Sequence, residues 1–322
     1  MVDADRQKDL ITRRLRASYY PYKTATSEFF LGHFLKQFKG IACVFMYGSM
    51  LNPGLSTPTS FPDFYIVVDR YAGFYGSRVH TLLNRFLPPN SYFLRLSENG
   101  TPRPSKYCVI DRQDLYRYTH YPHIKDFFIA GRLAKRIAIL YAKDDEFLAE
   151  FIGSIYQAMR FNVMFALSEL SYAGAYADGF SFDDFMIRLL GLSYRAEIRT
   201  ETHDKITSLY TGEKEFYRDI YSQFLEQEVQ DRTVERTGRA YRTIRPYFTP
   251  AYMAGFISRS RRRAVYRWPK SIYTFSNYVD YLVLKVERTT GEELRLSHWD
   301  RRLPLVFGWR HLFRLLRKKA IK

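Results

Sequence analysis

Apolar residues along this chain switch between two spacings. Residues 41–47, IACVFMY, and 64–68, FYIVV, are short continuous apolar runs, rich in β-branched and aromatic side chains and bounded by turn formers. That is the pattern of strands covered on both faces. SYFLRL at 91–96, KYCVI at 106–110 and RIAILY at 136–141 read the same way, with helical spacing between them at 26–39 and 76–86. The alternation predicts an α+β domain with a mixed sheet over residues 1–143. Beyond it the period lengthens: Phe147, Phe151, Ile155, Met159 and Val163 recur every fourth residue, placing a helical domain at 144–250. RTGRAYRTIRPYFTP, 236–250, is basic and broken by proline, and reads as a connector lying on a surface. The remainder, 251–322, is a basic C-terminal region with one regular element at YVDYLVLKV, 278–286.

Charge narrows the partners. Fifty Lys and Arg against 33 Asp and Glu give a formal charge of +17, which points to an anionic partner: nucleic acid, anionic lipid or a phosphorylated substrate. Aromatics are common, 27 Tyr and 26 Phe, and Tyr in particular suits places where one end of a ring is dry and the other wet, membrane interfaces among them. Cys43 and Cys108 each sit inside an apolar run, as small buried hydrophobes do, and suggest a reducing compartment. The best candidate for a membrane span, 147–167, is interrupted by Glu150, Gln157, Arg160 and Asn162, so no spanning helix is expected. The acids Asp3, Asp5 and Asp9 argue against a secretory or mitochondrial leader at the start of the sequence.

The candidate chemistry lies in FMYGSMLNPGLSTPTSFPDFYIVVD, residues 45–69. A strand ending in Gly48-Ser49 can turn sharply and present backbone N–H groups to a phosphate, because glycine has no Cβ in the way. Asp63, heading the next strand, can hold a Mg²⁺ that bridges the same phosphates. Nucleotidyl-transfer sites commonly carry Asp-x-Asp, two acids about 7 Å apart on one strand face, but here the second position is Tyr65. Asp69, roughly 20 Å further along extended chain, reads as a strand-end residue, leaving Glu98 and Asp111 as candidates for a second ligand.

Five ordered segments carry a family likeness. YGS at 47–49 is similar to a Tyr-Gly-Ser-Gly loop, PDFYIVVD at 62–69 to an Asp-led strand, and KYCVI to Lys-Tyr-Gly-Val-Ile. FFIAGRLAKRIAIL at 127–140 is similar to Tyr-Ile-Ala-Gly-Arg-Leu-x-Lys-Pro, and GLSYRAEIR at 191–199 to Gly-Leu-Ser-Tyr. In that order they resemble the mitochondrial translocator assembly and maintenance proteins and their microbial relatives, which are peripheral phosphatidate cytidylyltransferases. The chain departs from them in reading Gly-Ser-Met for Gly-Ser-Gly, and in replacing a His-Tyr-Ser near PPNSYF, 88–93.

The resemblance implies a nucleotidyltransferase domain, a winged-helix-like helical domain, and a C-terminal region that returns toward the site. It implies CTP and phosphatidate as substrates and CDP-diacylglycerol and pyrophosphate as products, the lipid phosphate attacking the α-phosphorus of CTP. Asp63 would then ligate Mg²⁺, Gly48 and Ser49 would cradle the triphosphate, Lys106 would neutralise charge on CTP or pyrophosphate, and His80 would assist. Arg132, set in the apolar IAGRL, needs an anion, which either the nucleotide or an internal carboxylate can supply.

An enzyme acting on a lipid must dock on a bilayer, expected here as a peripheral protein on a cytoplasmic face or on the matrix side of the mitochondrial inner membrane. Two segments suit that task. SRSRRRAVYRWPK, 258–270, offers Arg261, Arg262, Arg263 and Lys270 without an acid, and LVFGWRHLFRLLRKKAIK, 305–322, reads as an amphipathic helix with Trp309 on its apolar side. The alternatives are a nucleotidyltransferase acting on RNA, and a catalytically inactive module binding lipid or nucleic acid.

Overall fold

The computed structural model describes residues 2–52, 55–56, 60–197, 203–274 and 297. The order is α1 (Val2–Tyr19), α2 (Ala25–Gln37), β1 (Ile41–Tyr47), β2 (Asp63–Val68), α3 (Tyr71–Tyr75), α4 (Arg78–Phe86), β3 (Asn90–Glu98) and β4 (Thr101–Asp111). Then come α5 (Arg112–Thr119), α6 (Phe127–Leu133), β5 (Ala138–Ala142), α7 (Asp145–Tyr172), α8 (Phe182–Arg195), α9 (His203–Gly212) and α10 (Lys214–Gln230). A hairpin of β6 (Val234–Thr237) and β7 (Ala240–Thr243) and a long α11 (Pro250–Thr274) complete it.

The five-stranded sheet runs β3-β4-β2-β1-β5, with β2 and β4 parallel and the other pairs antiparallel, so the α+β expectation with a mixed sheet holds. Alternation along β2 assigns its two faces. Phe64, Ile66 and Val68 point into a core shared with Phe30 and Phe34 of α2. Tyr65 and Val67 point into the larger core, shared with α1 and α5 to α10. The spine of that layer is α7, 28 residues and about 42 Å long. Asp144 caps it by accepting from Phe147 N, and the every-fourth-residue series from Phe147 to Val163 is buried throughout.

Two expectations change. The 236–250 segment is no loose connector: it holds β7, Thr243 donates to the Leu167 carbonyl, and the Tyr247 and Phe248 amides donate to Ser168 Oγ on α7. Also, β4 starts at Thr101, five residues before the apolar run, because the left-handed pair Asn99-Gly100 closes a tight hairpin with β3. The 278–286 and 305–322 segments, with Trp309, lie outside the described residues. Among the described residues no helix is long and apolar enough to cross a membrane.

α6 and α8 cross very closely. A Cβ on Gly131 would stand 2.5 Å from Ser193 Cβ, so only glycine fits there. Lys135, one turn on, donates to Ser193 Oγ across the same crossing.

Candidate active site

β1 ends at Tyr47, and the chain turns at Gly48 with φ 97° and ψ −164°, a backbone region essentially reserved for glycine. A short 3₁₀ turn, Ser49–Leu51, follows, and Asn52 then donates to the Leu209 carbonyl of α9, tying the loop to the helical layer. In the β1–β2 ladder Tyr47 stands opposite Asp63. The Asp63 carboxylate faces the turn: its Oδ2 lies 3.1 Å from where a Cβ on Gly48 would sit. Gly48 is thus required twice, by its torsion and by the carboxylate packed against it. The sheet register also sets Lys106 of β4 beside Asp63. The expected grouping of Gly48, Ser49, Asp63 and Lys106 at one sheet corner is what the strands produce.

Below this corner the large-core face carries polar groups. Tyr47 hydroxyl is 3.9 Å from Cys108 Sγ, and Ser91 Oγ is 3.1 Å from the same sulfur. Burial, then Cys108, Asp63 and Tyr65, push the Tyr47 phenol well up, while Arg132 opposes them. The hydroxyl therefore stays protonated and feels both the Asp63 carboxylate and the Arg132 guanidinium. Tyr65, which stands where many nucleotidyl-transfer sites carry a second acid, is buried with its ring stacked 5.0 Å from Phe45. Its hydroxyl has no hydrogen-bond partner among the described residues. A carboxylate could not be kept there without one, whereas a phenol can be.

Arg132 meets the internal alternative. Nη1 and Nη2 pair with Glu197 at 2.9 and 3.3 Å, Nη1 also donates to the Phe128 carbonyl, and the guanidinium lies over the Phe128 ring at 3.7 Å and the Tyr47 ring at 5.9 Å. Burial works against its charge, but Glu197 with Tyr65 and Tyr47 holds the pKa well above the ordinary arginine value. It is close enough to act on the site electrostatically, yet its fork is occupied by a carboxylate rather than offered to a nucleotide.

Other candidates fall elsewhere. His80 of α4 lies with its ring 6.1 Å from Tyr92 and 5.7 Å from Tyr75, side chains that pack against the small core on the opposite sheet face from Asp63. Neither proposed second ligand joins Asp63. Asp111 pairs in register with Val68 at the far end of β2, about 17 Å along the strand, and caps α5. Glu98 is as far along β3 from Phe93, the residue opposite Lys106, and binds Arg103. Asp69 ends β2 as expected, paired with Lys143 and Arg112.

The basic row of α11 divides by helical face. Arg261 and Arg262 are exposed, Arg261 donating to the Arg195 carbonyl. Arg263 and Arg267 instead converge on Asp126, at 2.6 and 2.8 Å, and Arg267 also donates to the Pro88 carbonyl. Asp126 is fully buried; burial raises its pKa but Arg267 and Arg263 outweigh that and hold it below the usual carboxylate value. Lys270 Nζ is buried, donating to the Leu87 and Pro89 carbonyls, with its pKa driven well down by burial and then by Arg267. Arg263, partly buried, and Lys270, buried, thus bond within the protein, whereas the sequence reading sets them on lipid. Glu197 and Asp126, the partners that organise these cations, were visible only as two acids beside family segments.

A family profile described as phosphatidate cytidylyltransferase, mitochondrial, matches residues 59–274, which takes in Asp63, Lys106, Arg132 and α11 and begins after Gly48 and Ser49. No curated protein sequence matches the chain. Among solved structures, a nucleotidyltransferase-like protein from Exiguobacterium sibiricum 255-15 aligns over 91% of this chain and 90% of that one, at 10% identity and a TM-score of 0.25, too low to bear on the fold.

Proposed function

The chain belongs to the Tam41/Mmp37 family of mitochondrial phosphatidate cytidylyltransferases, and on that premise we propose that the corner between Gly48 and Asp63 holds the phosphates of CTP. The protein is a nucleotidyltransferase, and the acceptor its family uses is phosphatidate rather than RNA. The observation that carries the assignment of the corner is the 3.1 Å approach of Asp63 Oδ2 to the Cβ position of Gly48, which leaves a carboxylate and a side-chain-free turn facing one space.

The donor set there suits Mg²⁺, which takes hard oxygen ligands and is commonly held by one or two carboxylates together with substrate phosphates. Asp63 supplies one such carboxylate, and among the described residues no group of three His, Cys, Asp or Glu could form an all-protein cage. Asp63 and the nucleotide's own oxygens would hold the ion, which when bound neutralises charge at the reacting phosphate. The chain's own groups do the rest. Gly48 lets phosphate oxygens approach the backbone of the turn, and Ser49 adds a hydroxyl beside it. Lys106, in register with Asp63, offsets the charge that develops on the leaving pyrophosphate. Arg132, held by Glu197, is a positioning residue: it supports the Tyr47 ring beneath the corner and adds positive potential there.

Phosphatidate keeps its acyl chains in a bilayer at about 0.8 kcal/mol per buried CH₂, so the reaction is placed at a membrane surface. The +17 charge supports that placement.

Labelled CTP, phosphatidate vesicles and Mg²⁺ should yield lipid-soluble CDP-diacylglycerol. Asp63→Asn should lower the rate by at least about 10²-fold, the scale for removing one charge-stabilising group, without altering vesicle binding or melting temperature. Full turnover in Asp63→Asn would remove the corner from the mechanism.

A further inference from the structure

α4 is built inside out for a helix of a soluble protein. Its inward residue is polar: Asn84 is buried, donating to the Val109 carbonyl and Tyr75 hydroxyl and accepting from Asn90 N. Its outward stripe is apolar, with Val79 65%, Leu82 69% and Phe86 80% exposed, spaced three and four residues apart on one side. Amphipathic helices ordinarily bury that stripe. Arg78 and Arg85 flank it, and the helix contains no acid.

α11 packs against the end of α4. Lys270 and Arg267 bond the carbonyls of Leu87, Pro88 and Pro89, the turn directly after Phe86, so the end of α4 is braced against α11 by buried N–H donors. α11 likewise has no Asp or Glu over its 25 residues, and it leaves Arg262, Val265 and Tyr266 exposed. Both helices thus expose apolar side chains set among arginines, and buried hydrogen bonds join them.

We propose that this α4–α11 face is the membrane-docking surface, with Val79, Leu82 and Phe86 inserted among the acyl chains of an anionic bilayer and Arg78, Arg85 and Arg262 on lipid phosphates. Charge selects the occupant. A second copy would set one acid-free arginine face against another, which like charges oppose, whereas anionic headgroups complement the arginines and acyl chains receive the stripe. A helix of this make lies in the interface plane with its apolar side roughly 5–10 Å deep. The inference rests on the lipid-directed reading above, and it moves insertion from the arginine-rich row to α4, leaving much of that row as the brace.

The test uses the full chain and phosphatidylcholine vesicles with or without phosphatidylglycerol, which is not a substrate, so docking is read whether or not the protein turns over. The double variant Leu82→Asp/Phe86→Asp should bind phosphatidylglycerol vesicles at least about tenfold more weakly, a 1.4 kcal/mol change. It should lose turnover on vesicle phosphatidate while keeping turnover on a water-soluble short-chain phosphatidate. Because Cys43 and Cys108 are both buried, Phe86→Cys can be labelled selectively with an environment-sensitive fluorophore, which lipid-borne quenchers should reach in bound protein. Unchanged binding by the double variant, or a label that lipid quenchers do not reach on bound protein, would overturn the proposal. So would light scattering that shows a dimer dispersed by the same two substitutions, since the occupant would then be a second copy.

Discussion

The two faces of the sheet are made from the same strands and do opposite work. On β2 the even residues Phe64, Ile66 and Val68 enter a core closed by phenylalanine on phenylalanine, with Phe64 in ring contact at 5.4 Å with both Phe30 and Phe34. On the other face Tyr47, Asp63 and Lys106 stand in one register row and Tyr65 and Cys108 in the next, and the Tyr47 ring lies against Arg132. The carboxyls show the contrast most sharply. Asp63 opens toward a glycine turn, while Asp111, at the other end of the sheet, is buried as a helix cap and its pKa is pushed up to about 6 by burial. Both faces bury a core, but only the second also keeps, at its end, polar groups that stability alone would not choose.

That division can be broken from either side. Phe64→Ala should have the largest effect, lowering unfolding free energy by about 3–5 kcal/mol in chemical denaturation, while the folded fraction keeps its specific turnover. Gly48→Ala comes next: the glycine-only torsion costs about 1–3 kcal/mol, and the new Cβ meets Asp63, so turnover should fall further than stability does. Equal falls in both would mean the corner is merely structural.

The smallest expected effect concerns Asp111. Its folded pKa of about 6 lies above the ordinary carboxyl value of 3.8, so the folded state binds the proton more tightly than the unfolded one. Its contribution is complete below about pH 4 and is lost as pH rises through about 6. Against Asp111→Asn, which can still accept from the Asp114 amide, the native protein should lose relative stability from pH 4 to 7 in parallel urea titrations. A flat difference would remove Asp111 from the pH dependence.

The strands were legible where both faces are dry. IACVFMY gave β1 at 41–47 without correction, because a continuous apolar run has few other places to go. The first half of β4, TPRPS, was not, because it pairs only with an edge strand and can afford polar residues; its readable signal was Asn99-Gly100. At the site, Gly48, Asp63 and Lys106 were legible as a group because strand order and register bring them together. The inward turn of Arg263, Arg267 and Lys270 was not. Its cause is Asp126 and the carbonyls of residues 87–89, more than a hundred residues away in the chain, and local composition carries no trace of that pairing. Nor does local composition show α4 facing outward, since Asn84 looks like the polar side of an ordinary surface helix.

The crossing of α6 and α8 at Gly131 works as a fulcrum. Arg132 is the next residue, so the closeness permitted by one absent methyl fixes how high its guanidinium stands beneath Tyr47. A larger side chain at that contact would lever the charge away from the sheet without touching any residue of the nucleotide corner.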